Sequence, residues 1–207
     1  MSNPIASTAS FHPSVKNKIN QSVYKTKIDG LYFIEPTFFP DERGFYSEIV
    51  RLPELEKVIG SPFIVKQTNL SHSKINVIRG LHAEGWNKLA TVLTGAAFCA
   101  LADLRPNSPT FAQVETFYLG VTKGVLRGSL FISQGIANSF CVVEGSVDYL
   151  YQVDKLYQDR DPKGDQSISV FDPDLNIPWP IAKDKLIISE RDRQAISLRK
   201  LFPQKFT

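Results

Sequence analysis

Histidine is scarce in this chain: three residues among 207, His12, His72 and His82. A metal centre of the usual nitrogen-rich kind gathers several imidazoles with a carboxylate, and a single His at the end of an apolar run does not assemble one. No metal ligand set and no cofactor are expected. Cysteine is nearly absent too, and Cys99 and Cys141 sit inside the apolar runs AAFCALAD and SFCVVEG, where a thiol behaves as a small hydrophobe. No disulfide framework is expected, and a reducing, cytoplasmic compartment is. No stretch approaches the roughly 18 uninterrupted apolar residues of a spanning helix, which argues against a membrane. The opening MSNPIASTASFHPSVKNKINQ lacks the basic start and apolar run of a secretory signal, and residues 1–27 read as a flexible tail. Nor is there a stripe of Lys and Arg. The 24 basic and 21 acidic residues are scattered to a net charge of +3, which argues against a nucleic-acid partner.

What is present is an ordinary globular balance, 43% apolar and 22% charged over 207 residues, enough for one domain with a sizeable core over residues 28–207. Short apolar or alternating runs broken by Gly, Pro, Asn and Asp predict many strands and few helices. The runs are LYFI at 31–34, LATVL at 89–93, AAFCALAD at 96–103, VETFYL at 114–119, SLFI at 129–132, FCVV at 140–143 and VDYLYQV at 147–153. This is an all-β pattern, a sandwich or barrel with a few short helices. LPELEKVIG predicts one helix, with Pro53 in its first turn and Gly60 at the left-handed position past its end. In VDYLYQV the period of two places Tyr149 and Tyr151 on one face.

Several segments can carry chemistry. VIRGLHAEGWNKL brings His82 close in sequence to Arg79, Gly80 and Lys88: a base, an anion binder and a second cation around a glycine that lets backbone or ligand approach closely. In DERGFYSE, Arg43 precedes Gly44 in a turn between strands, and Arg suits bidentate contact with phosphate; a surface pair with Asp41 or Glu42 is the alternative. QTNLSHSK offers the amides of Gln67 and Asn69 on one face, with His72 in a polar loop. ISERD places Asp192 in a turn or helix start, where alone it reads as a cap.

Taken in order, DERGFYSE, QTNLSHSK, VIRGLHAEGWNKL, ADLRPNSPTFAQ, LFISQGIANSF, DYLYQVDKLY, DPDLNIPWP and SERD resemble the dTDP-4-dehydrorhamnose 3,5-epimerase family over about residues 28–192. The resemblance implies a cupin-type jelly-roll β-barrel and a homodimer in which an N-terminal segment of one subunit helps build its neighbour's site. It implies an epimerase that inverts C3, C5 or both beside the C4 ketone of a nucleotide-linked 4-keto-6-deoxy sugar. His82 then matches the family's base, Asp192 its orienting carboxylate, Tyr151 its acid, and Lys88 a cation near the ketone oxygen. Arg43, Glu48, Gln67, Asn69, Arg79, Asn138 and Tyr157 fall among the positions that contact the nucleotide sugar. These roles are chemically coherent, since a proton beside a ketone is weakly acidic and its removal needs a held base and donors at the oxygen that gains charge.

Two departures stand out. Where the family commonly has a second His, GIANSF has Asn138, which keeps a donor and loses a titratable group. Where relatives have paired tyrosines near the nucleotide base, this chain has Leu156 and Tyr157, which weakens the case for thymine. The same scaffold also admits a C3-only epimerase, a ketoisomerase or a non-catalytic sugar-nucleotide binding cupin.

Overall fold

The computed structural model describes residues 10–159 and 165–206. Two antiparallel sheets face each other. A six-stranded sheet runs in the order β1 (Val23–Lys25), β2 (Leu31–Ile34), β10 (Ser129–Ile132), β7 (Lys88–Val92), β12 (Val147–Val153) and β5 (Gln67–Ser73). A five-stranded sheet runs β13 (Gln166–Ser167), β6 (Ile78–Ala83), β11 (Ile136–Glu144), β8 (Ala96–Asp103) and β9 (Val114–Gly120). Apolar side chains from both inner faces interdigitate, among them Phe33, Leu130 and Tyr149 from the larger sheet and Phe117, Phe140 and Cys99 from the smaller. The expected jelly roll is present as two layers. The sheets do not close into a barrel, and β1 and β5 are the outermost strands of the six-stranded sheet.

Each outer face is covered as well. The helix α1 (Leu52–Ile59) has Pro in its first turn and Gly60 beyond it at φ +73°, as its sequence requires. Leu55 of α1 packs with Val23, Leu89 and Phe131 on the outside of the larger sheet. On the outside of the smaller sheet lies the C-terminal segment, which places Ile168, Val170, Leu186, Leu198 and Phe202 against Ile78, Leu81 and Cys141. Two short helices, α2 (Glu190–Arg193) and α3 (Leu198–Leu201), end this segment. A strand covered on both faces reads as a continuous apolar run. That is why all of AAFCALAD in β8 is buried rather than every second residue. Cys99 points into the inner core and Cys141 into the outer layer; both are free, and burial pushes the Cys141 thiol up to about 12 and Cys99 higher still.

The chain departs from its sequence reading in two places, the expected tail and His72, while the turn read at Arg43 and Gly44 does join two strands. Phe11 is buried against Phe33 and Phe117, with ring centroids 5.5 and 5.0 Å apart, and β1 pairs with β2, so residues 10–27 belong to the fold; the remainder of the expected tail lies outside the described residues. His72 stands on β5, not in a loop, and its Nδ1 is 2.7 Å from Asp148 Oδ1. Residues 37–48 form a hairpin, β3 (Thr37–Asp41) and β4 (Gly44–Glu48), that pairs with neither large sheet and exposes Phe39, Phe45 and Tyr46. Among the described residues no helix is long and apolar enough to cross a membrane.

Candidate active site

A cavity of about 570 Å³ opens between the two sheets, and its polar lining comes from both layers and from α2. The first wall begins with Gly80. Its φ of +118° suits glycine, and a Cβ there would sit 2.4 Å from Ser139 Cβ. This close approach of β6 to β11 sets His82 opposite Asn138 across the ladder. Asp192 reaches the same place from the far end of the chain. Ile187 N donates to Asn76 O at 2.9 Å and Ile187 O accepts from Ile78 N at 3.0 Å, which ties the segment before α2 to the start of β6. Ser189 then caps α2 by accepting from Asp192 N, which turns the Asp192 carboxylate toward β6.

The result is a His–Asp pair with Asp192 buried and His82 half-buried at the cavity. Asp192 Oδ1 lies 2.7 Å from His82 Nε2, and its Oδ2 accepts from Gly80 N at 3.3 Å. Burial alone would raise the Asp192 carboxyl, but the bond to His82, the imidazole's charge and the Gly80 and Ser189 contacts together hold it below the usual carboxylate range. A carboxylate only accepts, so in the neutral ring the proton sits on Nε2 and Nδ1 keeps its lone pair.

The second wall is formed by neighbouring strands of the larger sheet. Lys88 starts β7 and is buried; its Nζ pairs with Glu84 Oε2 and lies 4.8 Å from the centre of the Tyr151 ring. Tyr149 and Tyr151 share a face of β12, as the alternation required. Tyr149 stacks on Phe140 with ring centroids 4.4 Å apart and donates its hydroxyl to Asn138 Oδ1 at 3.2 Å. Burial, followed by the Glu84 charge, pushes the Tyr151 phenol up, while Arg79 opposes the shift. It is a phenol held neutral inside a polar cavity.

Of the residues singled out in the sequence, His82, Asp192, Lys88, Tyr151, Arg79, Asn138 and Tyr157 come together around the cavity. Arg79 is anchored at the rim, donating from Nε to Ser73 Oγ at 2.9 Å. Gln67 and Asn69 stand beside the cavity on β5, bonded to each other at 2.6 Å, with Gln67 Oε1 also accepting from Tyr157 N at 2.9 Å. Arg43 and Glu48 do not reach it. Arg43 sits exposed at the tip of the β3–β4 hairpin with Nη2 2.6 Å from Asp41 Oδ2, and Glu48 faces Arg51 at 3.8 Å. Sequence reasoning missed Glu84, Arg191 and the bond from Tyr149 to Asn138. Glu84 had a usable signal, an acidic side chain two residues beyond His82 at strand period; Arg191 had none, because only the docking of α2 brings it there.

The family model for dTDP-4-dehydrorhamnose 3,5-epimerase matches residues 25–200 of this chain. The chain is 31% identical over 184 residues to the dTDP-4-dehydrorhamnose 3,5-epimerase of Escherichia coli K12, covering 87% of this chain and 96% of that one. It is 31% identical over 175 residues to the dTDP-4-dehydrorhamnose 3-epimerase of Streptomyces niveus, covering 83% and 81% respectively. Among solved structures, the 3,5-epimerase of Legionella pneumophila in complex with dTDP-4-keto-L-rhamnose superposes with a TM-score of 0.77 at 32% identity, over 88% of this chain and 95% of that one.

Proposed function

Since this chain belongs to the dTDP-4-dehydrorhamnose 3,5-epimerase family, we propose that it inverts C3, C5 or both of a dTDP-linked 4-keto-6-deoxy sugar in the cavity between its sheets. His82, through Nδ1, takes the proton from the carbon beside the ketone. The electron pair moves to O4, where the Lys88 ammonium meets the developing charge. Asp192 holds the imidazole in one tautomer and stays ionised. Tyr151 gives its proton to the opposite face of the planar enolate, which inverts the carbon; the phenolate then recovers a proton from solvent and the His82 imidazolium releases its own to solvent. No step calls for a metal, because the charge on O4 falls to Lys88.

The single observation that carries this reading is the placement of the His82–Asp192 pair and the Tyr151 phenol on different sheets around one cavity. A base and an acid acting on opposite faces of one enolate need that separation. Around them, Arg79, Gln67, Asn69 and Tyr157 hold the nucleotide end. The protein works in the cytoplasm as a homodimer: the β3–β4 hairpin, with its exposed aromatic rings, reaches the neighbouring subunit and delivers Arg43, and with it Glu48, to that subunit's substrate. Sedimentation tests this, and a fully active monomer overturns the shared site.

Epimerisation at C3 alone is the second reading, favoured by Asn138 where the family has a His and by the likeness to the S. niveus 3-epimerase. Incubation with dTDP-, CDP- and GDP-linked 4-keto-6-deoxy sugars in heavy water, followed by NMR, distinguishes these outcomes. Deuterium at C3 and C5 with the inverted product supports the first, deuterium at C3 only supports the second, and binding without exchange overturns both.

A further inference from the structure

Glu84 is a carboxylate inside the cavity that the steps above leave without work. It follows β6, and its Oε2 accepts from Lys88 Nζ and, at 3.3 Å, from Trp86 Nε1. Lys88 is 6% exposed and lies over the Tyr151 ring. Burying an ammonium is costly unless it is paired and hydrogen-bonded. Lysine is also a flexible four-carbon stem with no geometry of its own. A carboxylate fixed by an indole N–H supplies both the counter-charge and the position.

We propose that Glu84 is a positioning residue for the epimerisation: anchored by Trp86, it fixes the Lys88 ammonium on the face of Tyr151, so that the donor to the ketone oxygen and the donor of the new C–H proton are set as one unit. This rests on the reading of Lys88 and Tyr151 given above. The charges around the phenol agree with it. After burial, the Glu84 charge is the largest influence raising the Tyr151 phenol; Tyr157 adds to it, and Arg79 opposes it from the rim. Lys88 faces the same ring from β7, Tyr149 is itself held neutral by burial, and the His82–Asp192 pair and Arg191 face the cavity from the opposite wall. Removing the Glu84 charge while keeping Lys88 therefore makes Tyr151 easier to ionise.

The test compares Glu84→Gln and Glu84→Asp with the wild type, carrying 13C at the tyrosine ζ carbon. The Tyr151 resonance, identified by its loss in Tyr151→Phe, is titrated by NMR in the ligand-free protein. In Glu84→Gln it titrates at lower pH than in the wild type, and kcat for inversion falls about tenfold with KM little changed. Glu84→Asp keeps the charge, titrates near the wild type and recovers part of the rate. An unmoved Tyr151 titration in folded Glu84→Gln overturns the proposal, as does an unchanged kcat; if Glu84→Gln does not fold, a Glu84→Asp protein with no loss of kcat overturns it. A moved titration in a protein that never turns over any substrate supports the coupling of Glu84 to Tyr151 and sinks the epimerase reading instead.

Discussion

The two walls of the cavity are built by different means. On one, His82 and Asp192 are 110 residues apart in the chain and meet through a single 2.7 Å bond, made only when the C-terminal segment docks on β6. On the other, Lys88, Tyr149 and Tyr151 belong to β7 and β12, whose pairing sets Tyr151 opposite Ala90 and Val153 opposite Lys88. The first wall depends on tertiary docking, the second on sheet register. Docking can be disturbed locally, whereas a slipped register turns every side chain of a strand to the other face.

Removing the central group of each wall gives the largest effect and separates them most sharply. His82→Ala should abolish deuterium uptake at the sugar carbons, a loss of about 100-fold to 10,000-fold for a positioned general base. Tyr151→Phe should leave the enolate forming and returning its proton to the original face, so that exchange outlasts inversion. A time course by NMR in heavy water reads both; equal loss of exchange and inversion in Tyr151→Phe would erase the difference between the walls.

Asp192→Asn comes next. An amide can donate to Nε2 and so favour the tautomer with the proton on Nδ1, where the base must act, and kcat should drop on the order of 100-fold or more. The same variant has a signature in stability. Because the folded-state Asp192 carboxyl titrates below its ordinary value, its stabilising contribution is present above the unfolded carboxylate pKa, about 3.9, and is lost as pH falls through the lowered one. Urea denaturation at neutral and acid pH should therefore show a smaller acid-dependent loss in Asp192→Asn than in the wild type.

Asn138 joins the walls, lying opposite His82 on the ladder and bonded to Tyr149. Asn138→His should change the ratio of exchange at C3 to exchange at C5 more than the total rate, and an unchanged ratio would make the residue neutral to selectivity. The smallest expected effect is none: exhaustive chelation should leave the rate unaltered, and a loss restored by added metal would shift the charge on O4 away from Lys88.

How much of this was legible in the sequence divides along the same line. The register wall was readable, because period two put Tyr149 and Tyr151 on one face and the apolar runs marked the strands. Lys88 and His82 were readable as neighbours in VIRGLHAEGWNKL. The approach of Asp192 to His82 was not available from periodicity, since it is made by backbone bonds of Ile187 to Asn76 and Ile78, and only the resemblance named the pair. The open sheet edges were invisible for a related reason: alternation fixes a strand's faces, and closure depends on which edge strands find each other. Phe11 was hidden because a lone aromatic in a polar stretch carries no period, yet the rings of Phe33 and Phe117 both pack against it.

The two thiols on opposite faces of the five-stranded sheet make the molecule its own stopwatch. A modifying reagent reaches Cys141 when the C-terminal layer lifts from β11, and Cys99 only when the inner sandwich parts. Because Asp192 belongs to the lifting layer, the alkylation rate at Cys141, set against that at Cys99, clocks how often His82 loses its carboxylate partner while the inner sandwich stays shut.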